Sequence, residues 1–193
     1  MKQLSTLLLI AALALSVVAA WLLWRTADQM GPGQTRAPAV SFALTDQDGH
    51  TRTDKDFRGR WVLLYFGYSY CPDVCPTTLA VMADALGQMG EQGGKIVPVF
   101  VSVDPERDTP AVLKTYLAAF GPRFVGLTGK PDAIARLARA YGVYYRKHPL
   151  AGGNYSVDHT SAIYLLDPEG RFVKSLDVQA GPKALAADLK KAL

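Results

Sequence analysis

Cysteine is the scarcest chemistry-bearing residue in this 193-residue chain: there are two, alongside three histidines. Two thiols build neither a dense disulfide framework nor a four-cysteine zinc site, and a cluster held by four thiolates is excluded within one chain. Charge is also scarce. A formal +4 scattered along the chain makes no basic patch. No nucleic-acid partner is expected, only a mild preference for acidic partners or anionic lipid. Internal repeats and low-complexity tracts are missing as well. Apolar residues, in contrast, make up 49% of the chain and are concentrated at one end.

Leu4 to Trp24 is a run of 21 residues without charge, polar only at Ser5, Thr6 and Ser16. About 20 apolar residues cross a bilayer as a helix. Lys2 and Arg25 flank the run, and Trp21 and Trp24 sit at its far end, where amphipathic rings favour the interface. A cleaved signal peptide has an apolar region of about 7–15 residues, and the small residues before Trp21 make a weak cleavage site. Residues 1–25 are therefore expected to form one uncleaved transmembrane helix. Residues 26–37 are polar, contain Gly31-Pro32-Gly33 and read as a tether. Residues 38–193 suit a single domain.

Within that domain, apolar runs and turn signals predict strands over 40–44, 61–66, 96–103, 124–127, 143–146, 162–166 and 171–176. Helices are predicted over 76–89, 110–120, 131–141 and 183–193. Alternating strands and helices that end in a hairpin and a helix indicate an α/β fold with a mixed central sheet. A cysteine pair between the first buried strand and its helix is the thioredoxin-like placement.

Cys71 and Cys75 lie in Gly67-Tyr-Ser-Tyr-Cys-Pro-Asp-Val-Cys-Pro76, with three residues between them. Proline after each cysteine predicts a rigid bend, with Cys75 as the helix cap and Pro76 as the first helical residue. A helix N-terminus favours thiolate. Two such thiolates can close as a disulfide, exchange with another disulfide, or bind a soft metal. They fall short of zinc's four ligands and come closer to satisfying Cu(I).

Each histidine is a candidate third donor. His50 follows a hairpin turn and His148 lies in a polar segment, so both are expected in solvent. His159 precedes the third buried strand, where redox thioredoxins carry a cis-proline and this chain has Thr160-Ser161. A lone histidine is commonly a structural hydrogen-bonding group, but this position favours a ligand, with Asp158 as a candidate for orienting its ring.

The segments GYSYCPDVCPTTL, VSVDPERDTP and YSVDHTSAIYLLDPEG resemble the Sco/SenC family of copper-binding proteins involved in cytochrome c oxidase assembly. The likeness runs through most of residues 38–193. It implies a thioredoxin-like fold behind an N-terminal anchor, and one copper, Cu(I) or Cu(II), bound by Cys71, Cys75 and His159. It further implies a chaperone for the dinuclear copper centre of oxidase subunit II or a similar copper-receiving protein. An upstream copper donor or thiol reductant would serve it. The setting implied is a bacterial inner membrane, with the domain on the periplasmic side. The alternative is a thiol–disulfide oxidoreductase using Cys71 and Cys75 on that subunit or another exported partner. No peroxidase motif is present.

Other residues carry a bland reading. Asp104, Arg107 and Asp108 are read as a turn with a local ion pair, and Asp108 or Thr109 as a helix cap, with a role in shaping the site or a partner surface, implied by the resemblance of VSVDPERDTP, as the rival. Tyr65, Tyr68, Tyr70, Tyr144 and Tyr155 are read mainly as packing, with copper shielding as the rival. Met82 and Met89 are read as core.

Overall fold

The computed structural model describes residues 39–193 and, before them, only residues 16, 18, 19 and 21. The expected membrane anchor and most of the tether lie outside the described residues, among which no helix is long and apolar enough to cross a membrane.

The chain opens with strands β1 (Ala43–Asp46) and β2 (Thr51–Thr53), a hairpin turned at Asp48-Gly49, where Gly49 adopts φ +85°. Strand β3 (Trp61–Gly67), helix α1 (Val74–Gln88), a helical turn α2 (Glu91–Gly94) and strand β4 (Ile96–Ser102) form a parallel β-α-β crossover unit. Helix α3 (Pro110–Ala118), strand β5 (Val125–Thr128) and helix α4 (Pro131–Ala140) follow. Strands β6 (Tyr145–Pro149) and β7 (Tyr155–His159) make a separate two-stranded sheet. Strands β8 (Ile163–Leu166) and β9 (Phe172–Leu176) and helix α5 (Gly181–Ala192) complete the domain.

Seven strands form the main sheet in the order β2-β1-β5-β4-β3-β8-β9. β3, β4 and β5 run parallel, while β1, β8 and β9 pair antiparallel with their neighbours. This is the mixed sheet expected from the sequence. Central β3 and β4 are apolar throughout because helices cover both faces. Side chains alternate accordingly. Tyr65 packs on Phe100, which meets Tyr116 of α3 on one face, whereas Phe66 meets Tyr141, just beyond α4, on the other. Each fully buried Leu or Phe along these strands contributes about 1.5–3 kcal/mol.

Register decides where chemistry gathers. Gly67 pairs with Ser102 at the exits of β3 and β4, and Tyr65 pairs with Ile163 at the entry of antiparallel β8. The loop after β3, the turn after β4 and the segment before β8 therefore share one end of the sheet. That is where α/β sheets place their sites.

Three strands differ from expectation, one of them β2, which no apolar run announces. The sequence places a strand at 143–146 and leaves His148 and residues 155–159 outside strands, but β6 runs through His148 and pairs with β7. The cause is pairing: Arg146, Lys147, Asp158 and Ser156 give no apolar run, so the hairpin is set by its partner and not by its own hydrophobicity.

Candidate metal centre

The cysteine loop leaves β3 at Gly67, and a turn closes with the Cys71 N–H donating to the Tyr68 carbonyl at 3.3 Å. Helix α1 begins at Val74 with Asp73 as its N-cap. Cys75 is thus the second helical residue and Pro76 the third, which corrects the expected cap at Cys75. Proline fits the first helical turn because that N–H has no intrahelical acceptor. The rigid bend shrinks to Cys71–Asp73. There the Cys71 sulfur accepts the free Cys75 N–H at 3.5 Å.

Cys75 is buried and Cys71 half-buried, and both are free thiols. The Tyr65 hydroxyl lies 3.7 Å from Cys75 Sγ. Burial pushes the Cys75 thiol up to about 12. The thiolate expected from the helix end is therefore not favoured at Cys75 in the metal-free chain, since desolvation outweighs the dipole there. Gly67 is required by close approach: a Cβ on it would lie 2.9 Å from Cys75 Sγ and 2.9 Å from the Phe100 ring.

His159 closes β7. Its Nε2 is 3.2 Å from Cys75 Sγ, and its Nδ1 is 3.2 Å from the Thr160 carbonyl. A proton on Nδ1, donated to that carbonyl, leaves the Nε2 lone pair facing the sulfur. Burial holds the imidazole below its ordinary value and so keeps it neutral near pH 7. The donor atoms of Cys71, Cys75 and His159 all lie within 4.8 Å of one another. Among the described residues they form the one such group of three or more histidine, cysteine or acidic side chains.

The surrounding residues sort differently from expectation. Asp158 does not hold the His159 ring; it is exposed and pairs with His148 Nε2 at 2.7 Å. Alternation along β7 turns Asp158 to the opposite side, and the Thr160 carbonyl takes the orienting position. His50 is exposed, as expected, beside Asp46. Of the five tyrosines, Tyr65 and Tyr68 present ring edges to His159 at centroid distances of 6.0 and 5.9 Å. Tyr144 is 61% exposed and away from this wall. Met82 and Met89 are core residues.

The turn after β4 is more than a local ion pair. Thr109 caps α3 by accepting the Val112 N–H at 3.3 Å, as its place before Pro110 indicates. Asp108 is not a cap. It is fully buried, accepts the Ser69 N–H at 3.0 Å and the Ser102 hydroxyl at 2.5 Å, and also accepts the Ser69 hydroxyl. It thus ties the cysteine loop to the end of β4. Ser69 and Ser102 escaped the sequence reading, and no one-dimensional signal links them to Asp108. Arg107 pairs with buried Asp104 at 2.5 Å.

Two sulfurs and one neutral nitrogen, one sulfur fully enclosed, can hold a soft or borderline metal with few ligands. They can also close as a disulfide. Residues 31–193 match the family model described as SCO1/SenC. The chain belongs to the SCO1/SenC family. Protein SCO2 homolog, mitochondrial, of Bos taurus is 42% identical over 177 residues, covering 86% of this chain and 66% of the relative. Protein SCO1 homolog 1, mitochondrial, of Arabidopsis thaliana is 46% identical over 134 residues, covering 69% of this chain and 40% of the relative. This chain thus aligns to less than two thirds of either relative's length. The Bradyrhizobium japonicum ScoI structure with copper bound superposes at TM-score 0.75 with 47% identity, covering 81% of this chain and all of that one. BsSco, described as a member of the Sco family of cytochrome c oxidase assembly proteins, superposes at TM-score 0.65 with 25% identity, covering 82% of this chain and 94% of that one. These Sco neighbours bear out the thioredoxin-like α/β fold.

Proposed function

We propose that the chain is a membrane-anchored copper chaperone in which Cys71, Cys75 and His159 hold one copper ion as cargo. The observation that carries this reading is the convergence of the three donor atoms within 4.8 Å, from a loop, a helix and a hairpin. Thiolates suit Cu(I), and a neutral imidazole makes Cu(II) tolerable. Copper bound to a 47% identical relative supports the choice of metal. Loading displaces the Cys75 proton, because burial keeps that thiol protonated.

The receiving partner in this reading is cytochrome c oxidase subunit II, at its dinuclear copper centre, or a similar copper-receiving protein. The oxidase-assembly description of the Sco relative supports that choice. Delivery proceeds by ligand exchange: an incoming thiol or imidazole displaces His159 first, then one cysteine. The uncharged run Leu4–Trp24 supports a single anchor over residues 1–25 and a tether over 26–37. The domain, residues 38–193, then lies on the periplasmic side of a bacterial inner membrane.

One observation favours a second reading, thiol–disulfide exchange. Cys71 is the accessible thiol and Cys75 the enclosed one, the asymmetry of an attacking and a resolving cysteine. Cys71 would attack a partner disulfide, and Cys75 would close the Cys71–Cys75 disulfide as the partner leaves with two thiols. The separating experiment offers the anaerobically reduced protein Cu(I) and a peptide disulfide together. One copper per chain without disulfide reduction supports the chaperone; rapid disulfide reduction with only loose copper contradicts it.

A further inference from the structure

The histidine donor stands on a two-stranded sheet, which is marginal in water without packing against something else. Only Val157 of β7 is buried, and no residue of β6 is. Its base is fastened where the Thr160 N–H donates to the Tyr144 carbonyl at 2.9 Å. Its tip is held by side chains of the turn after β4, of which Arg107 makes the most contacts. Arg107 Nη1 donates to Asn154 Oδ1 and to the Tyr155 carbonyl, each at 3.0 Å. The Arg107 guanidinium lies 3.7 Å from the centroid of the Tyr155 ring and 4.7 Å from that of Tyr70. It is also 5.8 Å from the centroid of Tyr68, the ring whose neighbour is His159.

Arg107 is itself fixed. Its Nε donates to Asp104, whose other oxygen accepts the Tyr155 hydroxyl at 2.7 Å. Lys147 adds a bond to Glu106 at 2.6 Å and lies 4.5 Å from the Tyr155 ring centroid. Among the described residues, Arg107 Nη2 is buried without a hydrogen-bond partner and lies in this ring-lined slot. One residue away, Asp108 holds Ser69 of the cysteine loop. The turn Asp104–Asp108 thus grips both donor-bearing segments, one by Asp108 and one by Arg107.

We propose that Arg107 is a positioning residue for the histidine donor: it locks the β6–β7 hairpin to the turn after β4, so that His159 Nε2 stands beside the two sulfurs before copper arrives. The proposal rests on the three-donor reading for its consequence in copper binding, but the lock itself is a property of the metal-free chain. Arg107 touches none of the donor atoms and acts through Tyr155, Asn154 and Tyr68. Lysine cannot replace it, because a point charge lacks the fork that reaches Asp104, Asn154 and a backbone carbonyl together.

The test uses the full chain in detergent as wild type, Arg107→Ala, Arg107→Lys and Tyr155→Phe. Amide hydrogen exchange on the metal-free proteins compares β7 with α1. Paramagnetic resonance of the Cu(II) complexes reads nitrogen coupling, and competition titrations give both copper affinities. In Arg107→Ala, exchange in β7 is expected to rise at least about tenfold with α1 unchanged, on the scale of sub-global opening. Cu(II) affinity falls by about 10–100-fold, as for loss of a group that orients a ligand, with weakened nitrogen coupling, while Cu(I) affinity changes far less. Arg107→Lys tracks the alanine variant, and Tyr155→Phe, which removes one hydroxyl, shows a smaller rise in β7. Unchanged exchange in β7 overturns the lock, and so does an equal rise in α1. If Arg107→Ala does not fold, Tyr155→Phe decides by the same two exchange rates. A wild-type chain without nitrogen coupling contradicts the three-donor reading and leaves the lock to be decided by exchange alone.

Discussion

The two sides of the candidate centre are built to different standards. The cysteines stand at the end of β3, a strand buried along almost its whole length, and Cys75 is packed beneath Tyr65 at the edge of the main core. His159 ends a strand of a small peripheral sheet with one buried residue. Cys75 therefore belongs to the densely packed core, Cys71 sits half-buried at its rim, and the nitrogen belongs to one of the less well packed parts. A carrier gains from that inequality. A donor that opens at low free-energy cost is the one an incoming ligand displaces first, while the thiolates keep the cargo from escaping.

The comparison breaks most completely at the core side. Cys75→Ala is expected to lower Cu(I) affinity by more than about 100-fold, beyond what loss of an orienting partner costs. The accompanying stability loss is only about 1 kcal/mol, since a single buried heavy atom is removed. Competition against a Cu(I) chelator and denaturant melts give the two numbers. Retained tight binding would place the copper elsewhere.

The pH dependence sharpens the same contrast. The Cys75 thiol, pushed up to about 12, stays protonated through the neutral range, so copper must expel its proton. Below that pKa, apparent Cu(I) affinity rises about tenfold per pH unit for this proton alone. His159 acts in the same direction, but on stability rather than on copper affinity. Its folded pKa lies below the unfolded 6.5, so as pH falls through that value the unfolded chain takes up the proton first and the fold loses stability. Cu(I) titrations at a series of pH values check the first, and melts of the metal-free protein check the second.

Two smaller effects bound the contrast. Gly67→Ala introduces a Cβ at 2.9 Å from Cys75 Sγ and the Phe100 ring, and this overpacking is expected to cost about 1–3 kcal/mol in a chemical melt. Tyr144→Ser, on a side chain 61% exposed at the base of the hairpin, should change stability by less than about 0.5 kcal/mol. A large effect there would mean that the hairpin is held by its exposed rings and not by the turn after β4.

The sequence makes the core side legible and the hairpin side mostly not. Trp61–Gly67 and Ile96–Ser102 announce themselves as continuous apolar runs, and the cysteines are placed by following the first of them. His159 is legible through its position before the apolar run of β8. The strand that carries it is not, because Tyr155–His159 is short, has only one buried residue and pairs with β6, whose Arg146-Lys147-His148 gives no apolar run. The start of α1 lies two residues before Pro76, within the first turn that proline tolerates, so the proline signal alone does not fix the cap. Asp108 shows the same limit: its serine partners lie 39 and 6 residues away, and only the register of β3 on β4 brings them together. The orienting role expected of Asp158 fails for a related reason, since strand alternation turns it away from the ring.

The most direct test of an exchangeable histidine above a fixed thiol pair compares the two oxidation states in His159→Ala. Full-chain wild type and variant are titrated with Cu(II) and, anaerobically, with Cu(I) against competing chelators. The variant should keep Cu(I) affinity within about tenfold and lose Cu(II) affinity by about 100-fold or more, because hard–soft matching leaves Cu(II) more dependent on nitrogen than Cu(I) is. Equal affinities of variant and wild type for both states would remove His159 from the site and contradict the three-donor centre.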